Sequence, residues 1–280
     1  MVLFSRFISK SKAVINNRIP WKWVLVSFAI GLSTIWLLST PPGLLGKADA
    51  VGYAVCHRIG TRSFHLGERI LPMCARCTGQ YLGAMLGIVY QLALGRRRTG
   101  RPPWGVIGVL GLFVLAYAVD GLNSYIHLLP FLSHYYLYEP SNTLRIMTGT
   151  GLGLAISVGL LPAFHQTVWT RWDRRPALWD FKSLAGLVAL AILVDVAVLT
   201  ENPLILYPMA LISAAGVLVL LTMVYTMVWL MVLKAENRYE RLGQMWIPLA
   251  AGFVLALLQI GTLDLVRYFF TGTWAGFQIG

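Results

Sequence analysis

Cys56, Cys74 and Cys77 are the three cysteines of the chain, and all lie in one polar stretch, CHRIGTRSFHLGERILPMCARCTG, together with His57 and His65. Thiolates and imidazole are the donors that a tetrahedral zinc-type site requires. Cys56, Cys74 and Cys77 with either His57 or His65 would supply three sulfurs and one nitrogen. The spacing C-H-x7-H-x8-C-x2-C is not that of a standard zinc finger. A closed set of this kind organises a loop. An open one binds copper or iron, or holds a catalytic zinc. The same residues support a thiol chemistry, because a C-x-x-C at a helix N-terminus beside a cation, here Arg76, favours thiolate. Cys56 would then be the resolving thiol. A plain Cys74–Cys77 disulfide is the bland alternative. Metal ranks first, the disulfide second and thiol–disulfide redox chemistry third, since a membrane thiol oxidoreductase usually carries a second cysteine pair.

Arginine offers a second chemistry in the same stretch. Arg58, Arg62, Arg69 and Arg76 lie within it, and Arg145 is placed to face it. Guanidinium forks suit phosphate or carboxylate, so the loop could hold an anionic lipid head group or a polyprenyl phosphate. For any single arginine, a solvated loop touching anionic lipid is the plainer reading. Asp120, Asn142 and Arg145, with Asp195, Glu201, Asp264 and Arg267, are expected at the same face. Arg62, Arg76, Asp120, Asn142 and Arg145 are taken as residues supporting the metal or binding a substrate. Asp120–Arg145 is balanced between a structural ion pair and a functional one. Asp264–Arg267, three apart on one helix, reads as structural.

The elements that carry these residues are membrane helices. Of 280 residues, 57% are hydrophobic and 12% charged, against about 25% charged in soluble domains. The expected fold is all-α, with about seven transmembrane helices near 21–40, 78–95, 104–122, 143–164, 183–200, 204–233 and 246–270. Alternate connections and the N-terminal tail hold 16 of the 23 basic residues, which places the N-terminus inside and the C-terminus outside. The cysteine stretch then faces outward. No cleavable signal peptide is expected. Gly79, Gly83 and Gly87, and Gly149 and Gly153, fall four apart, as on close-packed membrane helices. Gly105, Gly108 and Gly111 suggest a similar face on the third span. The aromatic segment Asn123–Ser141 is expected to lie along the outer interface. His127, His134 and His165 are less informative. The chain divides into a tail with first span (1–45), a core with the Cys/His loop and three spans (46–165), and a C-terminal three-helix region (166–280).

The net charge of +12 fits basic cytoplasmic loops rather than nucleic-acid binding. There is no nucleotide-binding glycine loop, H-E-x-x-H or nucleophile elbow. CHRIGTRSF followed by LPMCARCTGQYLG resembles the domain of unknown function 2085 family of bacterial and archaeal membrane proteins. The resemblance rests on Cys56, His57, Arg62, Ser63, Phe64, Pro72, Cys74, Ala75, Arg76, Cys77, Thr78, Gly79, Tyr81 and Gly83. It continues through Asp120, Gly121, Asn142, Arg145, Thr148 and Gly149, covering roughly residues 50–160. It implies a small helical membrane domain with one polar site, in a prokaryotic cytoplasmic membrane, and implies no activity. The extra N-terminal helix and three C-terminal helices set this chain apart from short members. The expected function is a membrane protein with a Cys/His metal loop, zinc or another transition metal, at the outer face. The alternatives are an enzyme or carrier for an anionic lipid, an accessory subunit of a larger membrane complex, or a thiol redox protein. Membrane lipids, and in the subunit reading other membrane chains, are the expected partners.

Overall fold

A computed structural model describes residues 21–129, 131 and 134–275. The basic tail with Arg6, Lys10, Lys12 and Arg18 lies outside them. Eight α-helices are present among the described residues: α1 Trp21–Ser39, α2 Gly43–Val55, α3 Ala75–Leu94, α4 Trp104–Leu128, α5 Asn142–Val168, α6 Phe181–Leu199, α7 Pro203–Val232 and α8 Trp246–Thr271. Local signals set their starts. Ser141 Oγ accepts from Leu144 N at 3.2 Å to cap α5. Asp180 and Ser183 form a capping box at α6. Asn202 caps α7 with Pro203 at its first position, so the E-N-P turn between the fifth and sixth expected spans is tight, as its residues suggest.

Among the described residues, six helices are long and apolar enough to cross a membrane: α1, α4, α5, α6, α7 and α8. Their outward faces carry bare aliphatic and aromatic side chains, such as Leu115, Leu193 and Phe269. The remaining expected span, the second, is α3, which has 20 residues. It packs against α5 and α7, so protein covers most of it and Val89 and Leu92 remain exposed.

α3 and α5 run parallel with their backbones in contact. A Cβ added to Gly79 would lie 2.9 Å from Thr150 N, and one on Gly153 would lie 2.6 Å from Ala84 N. Gly83 backs onto Thr150, Gly87 onto Ser157, and Gly149 onto Arg76 and Gln80. These five glycines form the small-residue interface that their spacing predicts. The third span differs. Gly108 and Gly111 meet nothing within 4 Å, and Gly105 faces Phe181. Glycines three apart drift around a helix of 3.6 residues per turn, so they need not share one buried face.

Two further differences matter for the site. α2 is an additional helix, too short to span. α4 continues to Leu128, so the segment expected to lie along the interface is partly helical. Leu137 and Tyr138 fold back onto α4: Asn123 Oδ1 accepts from Leu137 N at 2.7 Å, and its amide donates to Tyr138 O at 2.8 Å.

The connections sort by end. At one end, Asp173 N donates to Arg97 O and Thr170 N to Tyr239 O, both at 2.9 Å. This ties together the three basic connections after α3, α5 and α7. Guanidiniums there lie over indole rings, Arg97 over Trp169 at 4.0 Å and Arg101 over Trp104 at 3.4 Å, the residue types of a membrane interface. The cysteine stretch lies at the opposite end.

Candidate metal and anion site

Three contacts bring the cysteines together. The last turn of α2 packs on the strand of chain before α3: a Cβ on Gly52 would lie 2.7 Å from the Pro72 carbonyl carbon and 3.2 Å from Met73 Cγ. Only glycine lets the backbones approach this closely. Arg267, from α8, holds the next residues. Its Nη1 donates to Tyr53 O and Cys56 O at 2.6 Å each, and its guanidinium lies 4.0 Å over the Tyr53 ring. A cation there also faces the negative end of α2. Finally, Cys74 is the N-cap of α3, and its backbone N–H donates to Cys56 Sγ at 3.2 Å.

The result is a group of three sulfurs, Cys56, Cys74 and Cys77, within 4.8 Å of one another. All three are free thiols. A zinc ion bonded to three sulfurs at ~2.3 Å sets them ~3.8 Å apart, so a small contraction would suit it. The sulfurs sit among Val51, Met73, Ala214, Val217 and Ile260, with Cys56 and Cys74 buried and Cys77 half-buried. The Cys56 thiol is held well below its ordinary range, because the Cys74 and Cys77 sulfhydryls donate to it and, to a lesser degree, the Cys74 N–H does. One thiolate shared by two thiols is the protonation state that a soft cation displaces.

Neither histidine joins this group. His57 Nδ1 accepts from Ile59 N at 3.1 Å, which leaves the proton on Nε2. Burial lowers the His57 pKa, so its ring is neutral. His65 is exposed on a two-stranded hairpin, β1 His65–Leu66 paired with β2 Arg69–Ile70, which turns at Gly67. His165 is at the opposite end, beside Arg98 O.

The loop arginines separate into two sets. Arg58 and Arg69 both pair with Asp49 of α2, at 2.8 and 2.5 Å. Asp49 was invisible to motif reading because α2 itself was not anticipated. Arg62, Arg76 and Arg145 gather on the other side. Arg76 pairs with Asp120, its Nε donating to Oδ2 at 3.0 Å. Asp120 is 1% exposed and also accepts from Tyr138 OH at 3.1 Å and Thr148 Oγ1 at 3.2 Å. The partner of Asp120 is therefore Arg76, where the sequence suggested Arg145. Arg145 instead donates to Asn142 Oδ1 at 2.9 Å. Arg62 donates to Ser124 O at 2.9 Å. Asp264 accepts from Trp36 Nε1 at 3.3 Å and lies within electrostatic reach of Arg267, as their spacing suggests, while Arg267 also donates to the cysteine segment. Asp195 accepts from Thr150 within the bundle, and Glu201 is exposed in the turn before α7.

Long apolar helices around a buried polar end define an all-α, polytopic integral membrane protein. Residues 56–158 match the family described as predicted membrane protein (DUF2085), and the chain belongs to that family. It is similar to an uncharacterized protein of Methanocaldococcus jannaschii, 27% identical over 125 residues, or 44% of this chain and 72% of that protein. It is also similar to an uncharacterized protein of Methanothermobacter thermautotrophicus, 31% identical over 109 residues, or 38% of this chain and 86% of that protein. No solved structure matches the chain. The three cysteines, Arg62, Arg76, Asp120 and Arg145 fall within the matched residues. Asp49 and Arg267, which brace the loop, fall outside them.

Proposed function

We propose that Cys56, Cys74 and Cys77 bind one transition-metal ion, zinc by donor preference, at the outer face of the membrane. The observation that carries this reading is the convergence within 4.8 Å of three sulfurs, one from the residue that ends α2 and two from the first turn of α3, in an apolar setting. Three thiolates leave one tetrahedral position, the arrangement of zinc sites that take an outside ligand. When bound, the metal would supply Lewis acidity to a ligand at that position. The protein holds the sulfurs in place, supplies an N–H to one of them and buries two of them. His57 completes the set only if its ring releases Ile59 N. The side of the membrane follows from charge: the end that gathers the Arg96–Arg101, Arg171–Lys182 and Lys234–Arg241 connections belongs in the cytoplasm, and the cysteines lie at the other end.

Elemental analysis of the purified full chain tests the reading. About one zinc, or one copper or iron, per chain is expected, falling to background in a Cys74→Ser, Cys77→Ser variant of unchanged elution volume. Equal metal in both proteins contradicts the proposal. So does mass spectrometry of the native protein that finds no metal and three thiols free.

A further inference from the structure

We propose that Arg62 and Arg145, with the N-termini of α3 and α5, form a binding site for a phosphate group beside the cysteines. The inference goes beyond the metal reading and does not require it. It begins with charge. Arg62 and Arg145 are 8% and 6% exposed. Arg145 lies within electrostatic reach of Arg62, Arg76 and Asp120. Arg62 lies within reach of Arg76 and Asp120. Asp120 is the carboxylate that faces all three, and its Oδ2 is engaged by Arg76 and Thr148. Arg58 and Arg69, the other arginines of the loop, are answered by Asp49. Three guanidiniums thus share one carboxylate, and the Cys74 sulfur is the other group of opposite sign within reach of Arg62 and Arg145.

Their hydrogen bonds are also incomplete. A guanidinium has five N–H donors. Arg62 gives one to the Ser124 carbonyl and Arg145 one to Asn142 Oδ1. Arg145 Nε is buried and has no partner. A charged donor buried without an acceptor is strongly disfavoured unless a ligand supplies one.

The backbone adds the same sign of charge. α3 and α5 run parallel, and their first turns lie side by side where Gly149 meets the Arg76 backbone. Ser141 takes one N–H of α5, and both helices, of 20 and 27 residues, present their positive ends there. Arg145 is in the first turn of α5, and Cys74 caps α3. Two helix N-termini and two arginine forks at one spot suit a multi-oxygen anion. Phosphate fits better than a carboxylate, since four oxygens can engage both forks and a helix end together. The phosphate can be inorganic or the head group of a lipid, because the site is at an end of the bundle where either could reach it.

The full chain in uncharged detergent is titrated with three probes: inorganic phosphate, dioctanoyl phosphatidate and, as a phosphate-free control, dioctanoyl glycerol. Binding is read as a rise in unfolding temperature and by calorimetry. At least one phosphate probe is expected to bind while the glycerol does not. Inorganic phosphate binding as tightly as the lipid assigns a free phosphate. Lipid alone binding assigns a head group. Arg62→Gln and Arg145→Gln should each weaken binding tenfold or more with metal content unchanged, whereas Arg69→Gln should leave it within twofold. Wild-type protein that neither phosphate probe stabilises overturns the proposal, whatever the variants do. So does undiminished binding in folded Arg62→Gln and Arg145→Gln proteins. Phosphate binding to protein that holds no metal would uphold this site while the metal reading failed.

Discussion

Arg267 of α8 donates to the Cys56 carbonyl at 2.6 Å, so a helix at the far end of the sequence fixes the first sulfur of the cluster. The same Nη1 reaches Tyr53 O, and the guanidinium covers the Tyr53 ring. Charge-assisted hydrogen bonds of this kind contribute about 1.5–3 kcal/mol each. Arg267→Gln should therefore lower stability by about 2–4 kcal/mol and reduce metal retention, while the three cysteines remain. Thermal unfolding in detergent and metal content after dialysis check it. Unchanged retention would show that Cys56 is positioned by other contacts.

Asp120 is the hub of the arginine group. Asp120→Asn removes the charge facing Arg76 and leaves a partly buried guanidinium without its acid. Breaking a buried pair in this way costs about 3–5 kcal/mol. Arg76 is 14% exposed at its side chain, so the lower end of that range is expected. Denaturation of the variant against wild type measures it. A change under about 0.5 kcal/mol would contradict the placement of Asp120.

The α3–α5 interface gives a contrast within one protein. Gly79→Ala forces a Cβ against Thr150 N, with no flexible side chain to yield, and should lower the unfolding temperature by several degrees. Gly108→Ala meets open space and should leave stability within about 0.5 kcal/mol or raise it slightly. Equal effects at the two sites would undo the assignment of the packed face.

Much of this was legible in the chain. Runs of about twenty apolar residues specify membrane helices almost without regard to partners, because backbone groups in lipid must bond within the helix. Gly79, Gly83 and Gly87 were informative because a step of four keeps one helix face. Gly108 and Gly111 misled because a step of three does not. The C-x-x-C and its upstream cysteine were visible as a pattern, and the three sulfurs do converge. Which charge meets which was not visible. Arg76 and Arg145 both lie within reach of Asp120 in a parallel α3–α5 pair, and the choice depends on side-chain geometry rather than spacing. The α2 helix, with Asp49, was hidden because GLLGKADAVGYAV is short and glycine-rich, without the length of a span. His65 was plausible as a ligand until the hairpin turned it outward.

The Cys56 thiol also makes a pH prediction. A free cysteine titrates near 8.5. Because its neighbours stabilise the thiolate, Cys56 in metal-free protein should react with a small alkylating agent at pH well below that value, and its rate should level off there. The thiolate is the nucleophile, so a lowered pKa moves the rate profile to lower pH. Peptide mapping after timed labelling identifies the residue. A rate that climbs through pH 8–9, as for a free thiol, would contradict the shared-thiolate arrangement.

The central claim is that three sulfurs, and not a sulfur–histidine mixture or a disulfide, define the centre. X-ray absorption at the edge of the bound metal reads the ligands directly. The account predicts about three sulfur neighbours at ~2.3 Å for zinc and one lighter atom, with no outer imidazole scattering. A shell of nitrogen and oxygen alone, or purified protein with no metal to measure, would contradict it.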